Sequence, residues 1–135
     1  MTNQEKIKWL SQYRDVVKET MRLVREKEEW RSLAEKMTPS YSFEPKTQSV
    51  ASKVETGAEN IVEIDKQLQD QIAKRVRLRL EIAKVIYDLG SEKHRYLLSS
   101  RYIDGKKWEQ IALDMNYSVV QIWRMHGEAL NLINM

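Results

Sequence analysis

The stretch from Arg101 to Leu130 is RYIDGKKWEQIALDMNYSVVQIWRMHGEAL. Two helical patterns lie in and just beyond it, Lys107 to Met115 and Val119 to about Ile133, with only a few residues between them. So short a connection forces the two helices into a sharp angle, the geometry of a helix-turn-helix. Ala112 falls on the inner face of the first of these helices, where the second crosses it and only a small side chain fits. Asn116 stands at a turn position that needs a left-handed backbone, which Asn tolerates better than other non-glycine residues. Ser118 reads as the N-cap of the helix that follows. Ile111, Ile122, Met125, Ala129 and Leu130 fall on faces that meet in one small core. A preceding helix, Glu92 to Tyr102, closes that core with Leu97, Leu98 and Tyr102 and ends at Asp104-Gly105.

Upstream, Leu89-Gly90-Ser91 reads as a C-cap glycine followed by a new N-cap. Residues 3 to 36 read as one long helix. Trp9, Val16, Leu23 and Trp30 recur one heptad apart, Leu10, Val17 and Val24 run beside them, and Tyr13 and Met21 fill between. Pro39 and Pro45 break the pattern, so about 37–49 is expected to be a strap, pinned by Tyr41 and Phe43. A second long helix runs from about Val50 to Leu89, with Ile61, Ile64, Leu68, Ile72, Val76, Ile82, Ile86 and Leu89 on its apolar face. Gly57 weakens its first turns, so the helix is expected to begin beyond that residue. The alternation of Arg with apolar residues in KRVRLRLEIAK, Lys74 to Lys84, suggests a strand locally, but the surrounding helical period overrides it. The expected architecture is all-α, with a long helical hairpin over 1–89 for oligomerisation or partner binding and a three-helix DNA-binding module over 90–135.

Composition agrees and excludes several classes. Only 4 Gly and 2 Pro occur in 135 residues, too few turn formers for an all-β fold. There is no Cys, so neither a disulfide framework nor a thiolate zinc site can form. No apolar run approaches the ~18 residues of a membrane span. The N-terminal residues lack the apolar core of a signal peptide, and the expected location is the cytoplasm, with no membrane partner. The net charge is +3 but unevenly spread. Residues 66–91 carry 6 basic and 3 acidic side chains, whereas 92–135 carry 6 and 5. Phosphate attraction would therefore come partly from the helix before the module. His94 and His126 are the only histidines and lack the spacing of a metal helix. His126 reads as a rim residue. No phosphate-cradling glycine loop and no Ser/His/Asp grouping is present, so no catalysis, cofactor or metal is expected.

The segment from Tyr96 to Leu130 resembles region 4 of sigma-70 factors, in which a polar helix start, a buried Ile-Ala pair, a turn, a Ser or Thr cap and a closing Ala-Leu recur. The chain more widely is similar to small phage and prophage proteins of Gram-positive bacteria that carry such a module behind a long helical part. The matching features are WRSLAEKM followed by Pro39-Ser40-Tyr41-Ser42, and RYIDGKKWEQIA with MNYS. The broad group includes the late-gene regulators ArpU and RinA. The resemblance implies a phage-encoded transcriptional regulator of the bacterial host cell that binds double-stranded DNA and possesses a surface for RNA polymerase. Where sigma factors begin the recognition helix with Arg and Glu, this chain has Val119, Val120 and Gln121, and Gly127 interrupts the same helix.

In that geometry the last helix lies in the major groove and its N-terminal residues meet base edges. Ser118, Val119, Val120, Gln121 and Arg124 would face DNA. Gln121 suits adenine, Arg124 suits guanine, and the two Val residues suit thymine methyls. Trp123 would pack on the sugar-phosphate wall, and Lys106 and Lys107 would reach phosphates. Each has a plainer reading. Ser118 is a helix cap in either case, Val119 and Val120 form an apolar patch for a protein partner, Trp123 is a core or rim aromatic, and the lysines are solvated charges. Arg77 and Arg79 are a solvated face or a second hold on DNA. Two other functions stay open. One is a structural protein that binds RNA polymerase or another partner through the hairpin. The other is the DNA-recognition subunit of a phage packaging machine. The breadth of the apolar stripe on the first helix points to a homodimer.

Overall fold

In the computed structural model the backbone is described for residues 1–37 and 47–135, and side chains for 1–36 and 56–135. The fold is all-α. The described helices are α1 (Asn3–Met37), α2 (Thr47–Tyr87), α3 (Glu92–Leu98), α4 (Trp108–Met115) and α5 (Val119–Leu132), with a π-helical turn at Ser99–Ile103 between α3 and α4. Of the strap expected over 37–49, Met37 closes α1 and Thr47 to Ser49 open α2. Its remaining residues, with the expected pinning by Tyr41 and Phe43, lie outside the described residues.

Two compact units form, Met1–Val17 with Lys74–Met135, and Lys18–Ala73. In the second, Leu23 packs with Ile64 and Leu68, and Trp30 covers them. Lys27 Nζ meets the Asp65 carboxylate at 2.6 Å. The two helical segments are antiparallel here, since Leu23, Lys27 and Trp30 meet partners of falling number. The buried line steps through Leu23 and Trp30 and leaves Met21 and Val24, placed in the stripe on sequence, 59% and 47% exposed. Helix α2 runs straight through Gly57, which faces the Trp30 ring, so packing overrides the weak propensity at that residue.

The first unit has one core. Leu10, Tyr13 and Val17 of α1 and Leu78, Ile82 and Ile86 of α2 join Leu97, Leu98, Tyr102, Ile111, Ile122, Leu130 and Ile133. The long helices thus pack directly on the three short ones. Within KRVRLRL the helical step of 100° turns Leu78 inward and Val76 and Leu80 outward. Val76, read as part of the buried face, is exposed for this reason.

Polar contacts hold the unit together. The Lys6 ammonium is buried and donates to the carbonyls of Leu130 and Ile133, at 2.8 and 3.0 Å. A cation from α1 therefore caps the C-terminal end of α5, where unsatisfied carbonyls and the helix dipole both favour positive charge. Arg14 donates to the Ile103 carbonyl at 3.5 Å and lies against Gly105. Gly105 has φ 71°, and a Cβ there would overlap the Arg14 guanidinium. Gly90 does not adopt the left-handed conformation expected of a C-cap glycine, because α2 already ends at Tyr87. Arg95 instead donates to the freed Leu89 carbonyl at 2.8 Å.

Candidate nucleic-acid interface

Helix α5 is built from its first turn. Asn116 ends α4 with φ 58° and ψ 43°, the left-handed conformation its sequence position called for. Its reversal lets Tyr117 N reach back to the Ala112 carbonyl at 3.0 Å, and Ser118 then starts the next helix in extended backbone. Gln121 N donates to Ser118 Oγ at 3.2 Å, and Ser118 N donates to Gln121 Oε1 at 2.9 Å. This reciprocal capping box satisfies two otherwise orphaned amides.

One side of α5 is anchored. Ile122, Ala129, Leu130 and the following Ile133 are almost wholly buried. Burying each large aliphatic side chain contributes about 1.5–3 kcal/mol. At 100° per residue the opposite side carries Val120, Arg124, Gly127 and Asn131, flanked by Trp123 and by Glu128. Val120 is 59% and Trp123 54% exposed. Arg124 is exposed and has no ion pair with any other described residue.

The structure divides the eight residues read from sequence. Val120, Trp123 and Arg124 share the outward side of α5. Val119 is half-buried and packs against the core, so its methyls are turned partly away. Ser118 and Gln121 are exposed but engaged in the cap. For Gln121 to hold adenine with both ends of its amide, it would have to release Ser118 N. Lys106 is held by Asp114 at 3.0 Å, and that contact raises the lysine pKa and lowers the carboxyl's. Gln110 donates to the same carboxylate at 2.8 Å. Lys107 is exposed and precedes α4 as its N-cap.

Of the basic residues on α2, Arg79 donates to the Tyr13 hydroxyl at 3.1 Å, and Arg75 lies over the same ring. Burial pushes that hydroxyl up, but the two guanidinium groups outweigh it and hold its pKa below the usual value.

A groove of about 320 Å³ runs between the start of α3 and the first half of α5. Ser91, Lys93, His94, Tyr117, Gln121, Arg124 and Glu128 are among its lining residues. Lys93 lies 5.5 Å from the Tyr117 ring centroid, and the Tyr117 hydroxyl holds the ammonium above its ordinary pKa. His94 Nε2 is 3.4 Å from the Glu128 carboxylate, and its Nδ1 is buried without a hydrogen-bond partner. Lys93 and Tyr117 were not singled out from sequence. Periodicity assigns a face to each helix, but it does not bring the start of α3 beside α5.

Behind α5, His126 is enclosed. Its Nε2 is 2.7 Å from the Tyr102 hydroxyl, and Trp108 meets it edge-on at 4.8 Å. Arg101 stacks over Trp108 at 4.4 Å. Burial, with the nearby Arg101 charge, lowers the His126 pKa to about 4, and burial raises that of Tyr102 to about 12. Both groups are therefore neutral near pH 7, and the hydroxyl and the imidazole share one hydrogen bond. His126 is partly buried at the edge of the core, as the rim position read from sequence implies, with its ring held by Tyr102 and Trp108.

Among the described residues no group of three or more His, Asp and Glu gathers as a metal would need. No described helix is long and apolar enough to cross a membrane. Compared with family models, curated proteins and solved structures, the chain matches none.

Proposed function

We propose that this protein binds double-stranded DNA through the outward side of α5 and acts as a transcriptional regulator. One observation carries the reading. A capped helix is anchored along one side, and its other side presents Arg124, unpaired with any described residue, beside exposed Val120 and Trp123. An α-helix held this way fits the major groove, and an unpaired guanidinium there suits the O6 and N7 of guanine. Lys93 and Tyr117 in the adjoining groove suit a backbone phosphate, and Lys107 suits another. In this proposal residues 90–135 bind DNA and 1–89 bind partners. The place in phage transcription rests on the likeness of the chain to small phage and prophage proteins, carried by WRSLAEKM and by RYIDGKKWEQIA with MNYS.

The test compares two substitutions on selected and random duplexes. Arg124→Ala is expected to cost about 1–3 kcal/mol on a selected site and much less on random DNA. Lys107→Ala is expected to weaken both alike. Equal losses from Arg124→Ala on both duplexes would remove it from base reading.

A second reading has its own support. Val120 and Trp123 are large, apolar and exposed on the same side, as in a surface that meets a protein such as RNA polymerase. Lack of duplex binding even at low salt would favour it. A homodimer would bury Met21 and Val24 of α1, and sedimentation of Val24→Glu against the parent chain tests that pairing.

A further inference from the structure

Helix α2 carries a second apolar line that its own unit leaves open. Leu78, Ile82 and Ile86 turn into the core. Val76, Leu80, Ala83 and Tyr87 follow one another at spacings of four, three and four, which keeps them within a sector of about 60°. That sector lies about 130° around the helix from the buried one. Val76 is 54%, Leu80 68% and Tyr87 76% exposed. Unlike scattered surface hydrophobics, these form a continuous stripe three turns long.

The charges beside the stripe identify what would cover it. Lys74 to Tyr87 contains five basic residues and one acid, Glu81. Arg79, which donates to the Tyr13 hydroxyl, borders the stripe on one side. Arg77 and Lys84 border it on the other. Glu81 lies further round the helix and is paired weakly with Arg77, at 4.0 Å. A second copy laid along this stripe would set cation against cation. In a parallel pair each basic border meets the opposite border, and in an antiparallel pair each meets itself. Both arrangements are penalised by like charge.

We propose that the outer face of α2, Val76 to Tyr87, docks an amphipathic helix of another protein, with apolar residues along its centre and carboxylates on both borders. Apolar burial supplies the attraction and the flanking Arg and Lys residues select the acidic partner. The site is on α2, not α5, and does not depend on the DNA-binding reading.

The probe is a dye-labelled helical peptide about three heptads long, with Leu at the two core positions and Glu at the flanking positions, whose mutual repulsion opposes its own coiling. A twin carries Lys for Glu. Fluorescence anisotropy against the full chain is expected to show the Glu peptide binding at least about tenfold more tightly than the Lys twin, with rising salt narrowing the gap. The double variant Leu80→Gln, Tyr87→Gln is expected to lose binding by about tenfold or more. Both positions are exposed, so its melting temperature should match that of the parent chain. Failure of the Glu peptide to bind, equal binding of the two peptides, or unchanged binding by the variant would overturn the proposal. So would self-association, or binding to anionic lipid vesicles, that the same variant abolishes.

Discussion

His126 couples the fold to pH through a single ring. Its pKa in the folded chain is about 4, against an ordinary 6.5. Between those values the unfolded chain carries a proton that the folded chain does not. Stability from this residue is therefore complete above about pH 6.5 and is lost as pH falls toward 4. His126→Gln keeps a hydrogen-bonding partner for Tyr102 without titrating. Urea midpoints of that variant should vary less with pH across the window than those of the parent chain, and equal slopes would show that other groups dominate. Lys6 gives a second prediction. Lys6→Met keeps the stem and removes two charge-assisted bonds to buried carbonyls, so it should cost about 1.5–3 kcal/mol in denaturant unfolding. A loss under 0.5 kcal/mol, as roughly expected of an ordinary surface change, would mean that water replaces the ammonium. Sequence showed neither role. A lysine between Glu5 and Ile7 in the first turns of a helix looks solvated, and nothing in the sequence sets Tyr102 and Trp108 beside His126.

At the scale of elements, chemistry written into single residues was legible. Asn116 and Ser118 are the left-handed turn residue and the cap that their types indicate, and the ends of α4 and α5 fall within a residue or so of expectation. The π-helical turn at Ser99–Ile103 was not legible, because no residue type marks a widened turn. It closes through backbone bonds, Asp104 N to Ser99 O at 3.0 Å and Lys106 N to Ser100 O at 2.9 Å. Gly90 misled because a glycine near a helix end permits a left-handed cap without requiring one. Gly127 sits inside α5 with open space where a Cβ would be. Gly127→Ala should therefore raise stability by up to about 1 kcal/mol in thermal or urea unfolding. A decrease would show that the backbone there needs glycine's freedom. Ser118→Ala should lower stability by about 1 kcal/mol through loss of the cap.

At the scale of the whole molecule, amphipathic spacing established that the chain is all-α and that each long helix has a face to bury. It did not state against what. The first turns of α1 and the last turns of α2 pack on α3 to α5, and the α1 contacts join residues more than a hundred positions apart, as between Lys6 and Leu130. The same limit applies to the site. Arg124, Val120 and Trp123 were legible as an exposed side of one helix, whereas Lys93 and Tyr117 join them only through the packing of α3 on α5. Under the proposed function, this anchored helix binds duplex DNA. The most direct test is the affinity of the full chain for duplex fragments, titrated across a series of salt concentrations. The log of the binding constant should fall linearly with log salt, with a slope of about −0.9 per phosphate contacted and a total consistent with a few contacts such as those of Lys93 and Lys107. Absence of binding at the lowest salt, or binding that salt does not change, would contradict it.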